Sequence, residues 1–240
     1  MRTPGRERTP GGGVLYNPNM PAFAFTRQPD ALAWFGSERG GPILASEHAR
    51  ISQALTSRTP QPWLWVSPEG ADPSSPVSRA PPTRGVRLRT TAGAHRLAGQ
   101  VRCGLPLPLP TEAMGVIVLQ HVLDAGDPQP LLQECSRVLE PGGRLWLFVL
   151  NPWSPYRLRW RGAGLVPRAL PQWRLQLAAA GLVVSEHVLH YGPVWKGVAD
   201  APGHGPAPLR AARLLEAEKR VAGLIPPSPV ARAWRTAPAA

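Results

Sequence analysis

The chain has 240 residues, 43% of them apolar, which is enough for one domain with a real core. No run of 18 apolar residues occurs, so no membrane span is expected, and two cysteines supply neither a disulfide framework nor a metal cluster. The net charge of +12, from 27 basic and 15 acidic residues, is almost entirely arginine: only Lys196 and Lys219 are lysine.

Proline and glycine, 31 and 24 in number, crowd the two ends and residues 67–85. A compact middle with loose flanks follows from that distribution. Residues 1–28 are expected to form a disordered arm, residues 29–224 a single domain and residues 225–240 a disordered tail. The opening "MRTPGRERTPGGGVLYNPNM" has no apolar core and does not read as a signal peptide. Met20 begins a more protein-like segment, so residues 1–19 are either an arm or an over-long start. A cytoplasmic location is expected.

Within 30–55, Ile43, Leu44, Ile51 and Leu55 share one helical face, and Trp34 and Phe35 are expected to anchor that helix. "WLWV" (63–66) is a first buried strand, running straight into "SPEGADP". Residues 67–83 read as a loop, and "GVRLRTT" (85–91) as a short alternating strand. Pro106, Pro108 and Pro110 keep 103–113 out of any helix or central strand.

The middle is the best-patterned part. "VIVL" (116–119) reads as a strand covered on both faces. A helix follows, with Asp127 placed to cap it, Pro128 in its first turn, and Leu131, Leu132, Cys135, Val138 and Leu139 as its apolar stripe. Cys135 is therefore a core residue. Pro141, Gly142 and Gly143 stop the helix, and "RLWLFVL" (144–150) is a second buried strand. Strand, helix and strand with short links make a βαβ unit and a partly parallel sheet. Beyond a Pro-, Trp- and Arg-rich stretch come a helix (171–182) ended by Gly181 and a strand (183–192). Residues 207–224 read as helix on propensity.

The residues "LPLP", "VIVLQHVL" and "DPQPLLQECSRVLEPGGRLWLFVLNPWS" resemble the class I S-adenosylmethionine-dependent methyltransferases, of the type 11 domain group. The likeness is firm over 103–153. It extends loosely to the opening Trp34, Phe35, Gly40 or Gly41, Leu44 and Glu47, and to the "AAAGL" helix. It implies an α/β fold: a doubly wound, mostly parallel Rossmann-like sheet with an antiparallel last strand, which falls near 211–218 and so competes with the helix reading there. It also implies S-adenosylmethionine, held at the C-terminal ends of the first strands, and a small-molecule substrate.

Several family features are missing. The glycine-rich first loop is replaced by Trp65, Val66, Ser67, Pro68, Glu69, Gly70 and Ala71. No acid occurs in 79–102 to meet the ribose hydroxyls; Cys103 stands where an acid would meet adenine, and Gly115 where strand four opens with Asp. By resemblance the cofactor contacts are Ser67, Glu69, Gly70, Cys103, Gln120 and His121. Asn151 and Trp153 face substrate, and no catalytic residue is identified. The alternative is a catalytically inactive methyltransferase-fold protein serving as a binding or regulatory module. A third reading is nucleic-acid association through the acid-free stretches 79–102 and 151–174, with Trp153 and Trp160. No nucleic-acid motif accompanies that charge.

Overall fold

The computed structural model describes residues 31–56, 61–69, 85–91, 96–195 and 207–220. The expected arm 1–28, the tail 225–240 and most of the loop 67–83 lie outside these residues. Among the described residues the strands are β1 (Trp63–Ser67), β2 (Gly85–Thr90), β3 (Leu97–Gly99), β4 (Arg102–Cys103), β5 (Met114–Gln120), β6 (Leu139–Leu150), β7 (Leu182–Tyr191) and β8 (Ala212–Lys219). The helices are α1 (Gly41–Thr56), α2 (Gln129–Val138), α3 (Arg157–Trp160) and α4 (Leu170–Ala179), and a 3-10 turn spans Ala31–Gly36.

All strands join one sheet in the order β4-β3-β2-β1-β5-β6-β8-β7. β2, β1, β5 and β6 run parallel, and the last strand, β8, is antiparallel to both β6 and β7. β1 and β5 are buried at every position, as the continuous apolar runs require. Because alternate residues face opposite sides, one face gathers Leu64, Val66, Ile117, Leu119, Leu145, Leu147 and Leu215, packed under α2 and α4. The other gathers Trp63, Trp65, Val116, Val118, Trp146, Phe148 and Leu214, packed under α1 through Ile51 and Leu55. Helices on both faces make the sheet doubly wound, as expected.

Of the two readings for this segment the strand implied by the resemblance, near 211–218, is the one found: Ala212–Lys219 is β8, and of the helix expected over 207–224 only Ala207–Leu209 is helical among the described residues, as a 3-10 turn. Burial overrides propensity here: β8 inserts between β6 and β7, where both faces are covered and the backbone must pair. Pro128, just before α2, already has helical torsions, and the Asp127 carboxylate accepts the Gln129 N–H two residues on, the bond expected of a capping residue. Cys135 is fully buried in the core, and its thiol is pushed up by burial. The "PGG" stretch does not simply turn. Pairing jumps from Met114–Leu139 to Val116–Arg144, so the intervening residues loop out at the start of β6, with Gly142 at φ +76°.

β2 and β3 pair antiparallel, Thr90 opposite Leu97, where a parallel pair would need a crossover. α2 also pins the proline-rich segment before β5. Glu134 accepts the Leu107 N–H, and Arg137 donates to the Leu107 and Leu109 carbonyls.

Candidate functional site

The chain leaves β1 toward β2 on one side, and β5 begins the other half of the sheet, so strand order reverses between β1 and β5. Open α/β sheets bind ligands outside the strand C-termini at such a point. Ser67 and Gln120 end these two strands. The register pairs Val66 with Leu119, which puts Ser67 and Gln120 side by side on the α1 face. Both are fully buried, yet Ser67 Oγ and Gln120 Oε1 have no hydrogen-bond partner. An unmade buried hydrogen bond costs about 1–3 kcal/mol, so a ligand that bonded either atom would recover that cost.

The Gln120 amide is fixed by its neighbour. Its Nε2 donates to Glu47 Oε2 at 2.9 Å; the reverse orientation would set two oxygens against each other. Glu47 rises from α1, where it interrupts the apolar stripe between Leu44 and Ile51, and it is fully buried. Its other oxygen, Oε1, accepts from His121 Nε2 at 2.8 Å, while His121 Nδ1 donates to Asp124 Oδ2 at 2.7 Å. Asp124 also accepts the Leu150 N–H at the end of β6. All three ionisable side chains are buried.

Both partners of His121 are carboxylates, which can only accept, so the arrangement suits an imidazolium with a proton on each nitrogen. Burial alone pushes the imidazole down. The charge of Glu47 and the hydrogen bonds to Asp124 and Glu47 outweigh it, and His121 is raised to about 9. For Asp124, burial pushes the carboxyl up, while the His121 bond and charge and the Leu150 N–H work against it. Phe35 stacks on the His121 ring at 4.5 Å between centroids. His121 itself has φ +55°, a left-handed backbone held by its N–H to Phe148 O and its C=O to Asp124 N.

The other expected residues fall as follows. Glu69 is exposed, and its backbone N–H donates to Thr90 Oγ1 at 3.3 Å, tying the first loop to the end of β2. Gly70 lies outside the described residues. Cys103 is half-buried on β4, where it packs on the α2/α4 face, opposite to Ser67 and Gln120 and three strands from β1; burial pushes its thiol up. The structure therefore brings Ser67, Gln120 and His121 together and leaves Cys103 apart.

His121 has no ring nitrogen left for a ligand. Asn151 is equally committed: Nδ2 donates to the Pro208 and Arg210 carbonyls, and Oδ1 accepts the Trp153 N–H. It fastens the turn after β6 to the start of β8. Trp153 is 67% exposed on that turn. Gly115 has a packing reason: a Cβ there would meet Gln61 at 2.7–2.9 Å, so the family's Asp does not fit without moving that side chain.

Two central residues, Glu47 and Asp124, were not among the expected contacts. A carboxylate inside the stripe Ile43–Leu44–Ile51 was the signal for Glu47, and the i, i+3 spacing from His121 was the signal for Asp124. Among the described residues no group of three or more metal-ligating side chains is placed to hold a metal ion, and no helix is long and apolar enough to cross a membrane.

Residues 87–147 match the sequence pattern of the methyltransferase domain family. That match begins in β2 and so excludes the first loop. A protein of Listeria monocytogenes, assigned as an S-adenosylmethionine-dependent methyltransferase, has a similar structure: TM-score 0.50, 11% identity, over 75% of this chain and 100% of that one. An S-adenosylmethionine-dependent methyltransferase of Thermotoga maritima gives 0.48 and 16%, over 78% and 93%. The 1,6-didemethyltoxoflavin-N1-methyltransferase of Burkholderia thailandensis gives 0.46 and 14%, over 75% and 80%. No curated protein matches by sequence. In the sequence pattern over 87–147 and in its doubly wound sheet, the chain resembles the class I S-adenosylmethionine-dependent methyltransferases of the type 11 domain group.

Proposed function

We propose that the chain is an S-adenosylmethionine-dependent methyltransferase whose cofactor enters the crevice between the ends of β1 and β5. The observation that carries this reading is the pair of buried, unpartnered polar atoms there, Ser67 Oγ and Gln120 Oε1. One can donate and accept and the other accepts, which fits the hydroxyl and amino groups of the cofactor. Bound S-adenosylmethionine supplies an electrophilic methyl on a sulfonium. The protein's part is then chiefly positioning, which needs no dedicated base for many nucleophiles. Ser67 and Gln120 hold, Glu47 orients Gln120, and His121 locks Glu47. Glu69 and Gly70 would line the first loop. A small-molecule substrate and a cytoplasmic location belong to the same reading.

The test is calorimetry and thermal shift with S-adenosylmethionine. Micromolar binding should stabilise the fold by about 4 kcal/mol at a thousandfold excess over Kd, and Ser67→Ala and Gln120→Met should each weaken affinity about tenfold. Absence of binding at millimolar cofactor would overturn the proposal. It would favour a second reading, an inactive module on the same fold. The first loop supports that alternative: Trp65 to Glu69 contain no glycine, and the Glu69 N–H is already bonded to Thr90.

A further inference from the structure

The sheet registers align one row of residues across four strands. Ser67 of β1 lies opposite Arg89 of β2, Arg89 opposite Ala98 of β3, and Ala98 opposite Arg102 of β4. Register partners share a face, so all four lie on the α1 side; the alternate residues Leu88, Leu97 and Cys103 pack into the opposite core. In the adjacent row Arg87 lies opposite Trp65, and its guanidinium sits over the Trp65 ring, 4.3 Å from the centroid.

This corner is short of negative charge. No Asp or Glu occurs from 79 to 102. None of Arg87, Arg89 and Arg102 has a carboxylate within salt-bridge distance among the described residues. Arg87 Nε and Nη2 are buried without an acceptor, as are Trp65 Nε1 and Ser67 Oγ. Every one of these atoms can donate, and among the described residues none is bonded to a carboxylate. Arg87 and Arg89 repel one another two residues apart on one strand face, and burial and that repulsion both push the Arg87 guanidinium down.

Arg89 and Arg102 flank Ala98, a small residue, across two strand spacings, about 10 Å between backbones. Two long side chains at that separation can close over one tetrahedral anion with Ala98 as its floor. Guanidinium forks match phosphate oxygens in pairs.

We propose that Arg89 and Arg102, backed by Arg87, form a binding site for a phosphate monoester. The site meets the strand-end crevice at Ser67, so the phosphate belongs to a ligand whose uncharged part lies toward that crevice. It does not depend on methyl transfer.

The experiment titrates the full chain with adenosine 5'-monophosphate, adenosine, inorganic phosphate and a single-stranded DNA dodecamer. The site predicts that the monophosphate binds at least tenfold tighter than adenosine. Arg89→Gln and Arg102→Gln each remove that preference, while Arg144→Gln, on the same face but on β6, preserves it. Inorganic phosphate competing at similar concentration identifies the phosphate group alone as the recognised part; failure to compete assigns recognition to the whole monoester. Equal binding of monophosphate and adenosine overturns the proposal, as does equal loss in Arg144→Gln. A dodecamer that binds more than tenfold tighter than the monophosphate, with the same arginine dependence, overturns it in favour of a nucleic-acid surface. Monophosphate binding by a chain that ignores S-adenosylmethionine leaves this site standing while the cofactor reading falls.

Discussion

Glu47 is the side chain on which the crevice turns. A buried carboxylate is costly, and here one group serves three purposes: it balances the His121 imidazolium, fixes the Gln120 amide, and ties α1 to the end of β5. Removing one member of a buried charged pair costs about 3–5 kcal/mol, because the other is left uncompensated. Glu47→Gln should therefore lower unfolding free energy by that order in denaturant melts. It should also bring the His121 titration, followed by imidazole NMR, down from about 9. An unchanged imidazole titration would mean that Glu47 does not hold the proton. His121 was expected as a cofactor contact, and both of its ring nitrogens are bonded to carboxylates, Asp124 and Glu47. That pairing is not legible in a sequence. It depends on a helix distant in the chain delivering a carboxylate, and on the left-handed backbone at residue 121.

At the level of elements, the βαβ unit was legible because local pattern and tertiary demand agree there: continuous apolar runs for β5 and β6, and an amphipathic stripe with a terminal proline for α2. β8 was the opposite case. "ARLLEAEK" favours a helix residue by residue, and only pairing to β6 and β7 makes it a strand. The two conformations predict different energetics. In a helix, consecutive Leu214 and Leu215 would pack on one side. In the strand they face opposite cores, Leu214 with Trp146 and Phe148, Leu215 with Leu147 and Trp173. Leu214→Ala and Leu215→Ala should each cost about 2–5 kcal/mol. The double mutant should be additive to within roughly 0.5 kcal/mol, as for sites without shared partners. A coupling well above that in equilibrium unfolding would contradict the assignment of the two side chains to separate cores.

Across the whole molecule, the buried network acts as a fastening between layers. It joins the 3-10 turn through Phe35, α1 through Glu47, the β5 end through His121 and Asp124, and the β6 end through Leu150. Its stability contribution must therefore follow the His121 proton. The imidazole titrates near 6.5 when unfolded and near 9 when folded. A folded value above the unfolded one means the contribution is fully present below pH 6.5 and is lost as pH rises through about 9. The difference amounts to about 3 kcal/mol. His190 works in the other direction: burial, Arg213 and Arg210 push it down, so it costs stability as pH falls below its ordinary value. The two slopes meet, and the chain should be most stable near pH 6.5, with a decline toward pH 9 that His121 accounts for. His121→Asn should be less stable throughout the range but should lack that decline when unfolding free energy is measured from pH 6 to 8.5, below the range where the raised Cys135 and Cys103 thiols add a decline of their own. If the variant keeps the decline, some other group carries it and the imidazolium is not the fastening; if the parent chain shows none, His121 is neutral in the folded state.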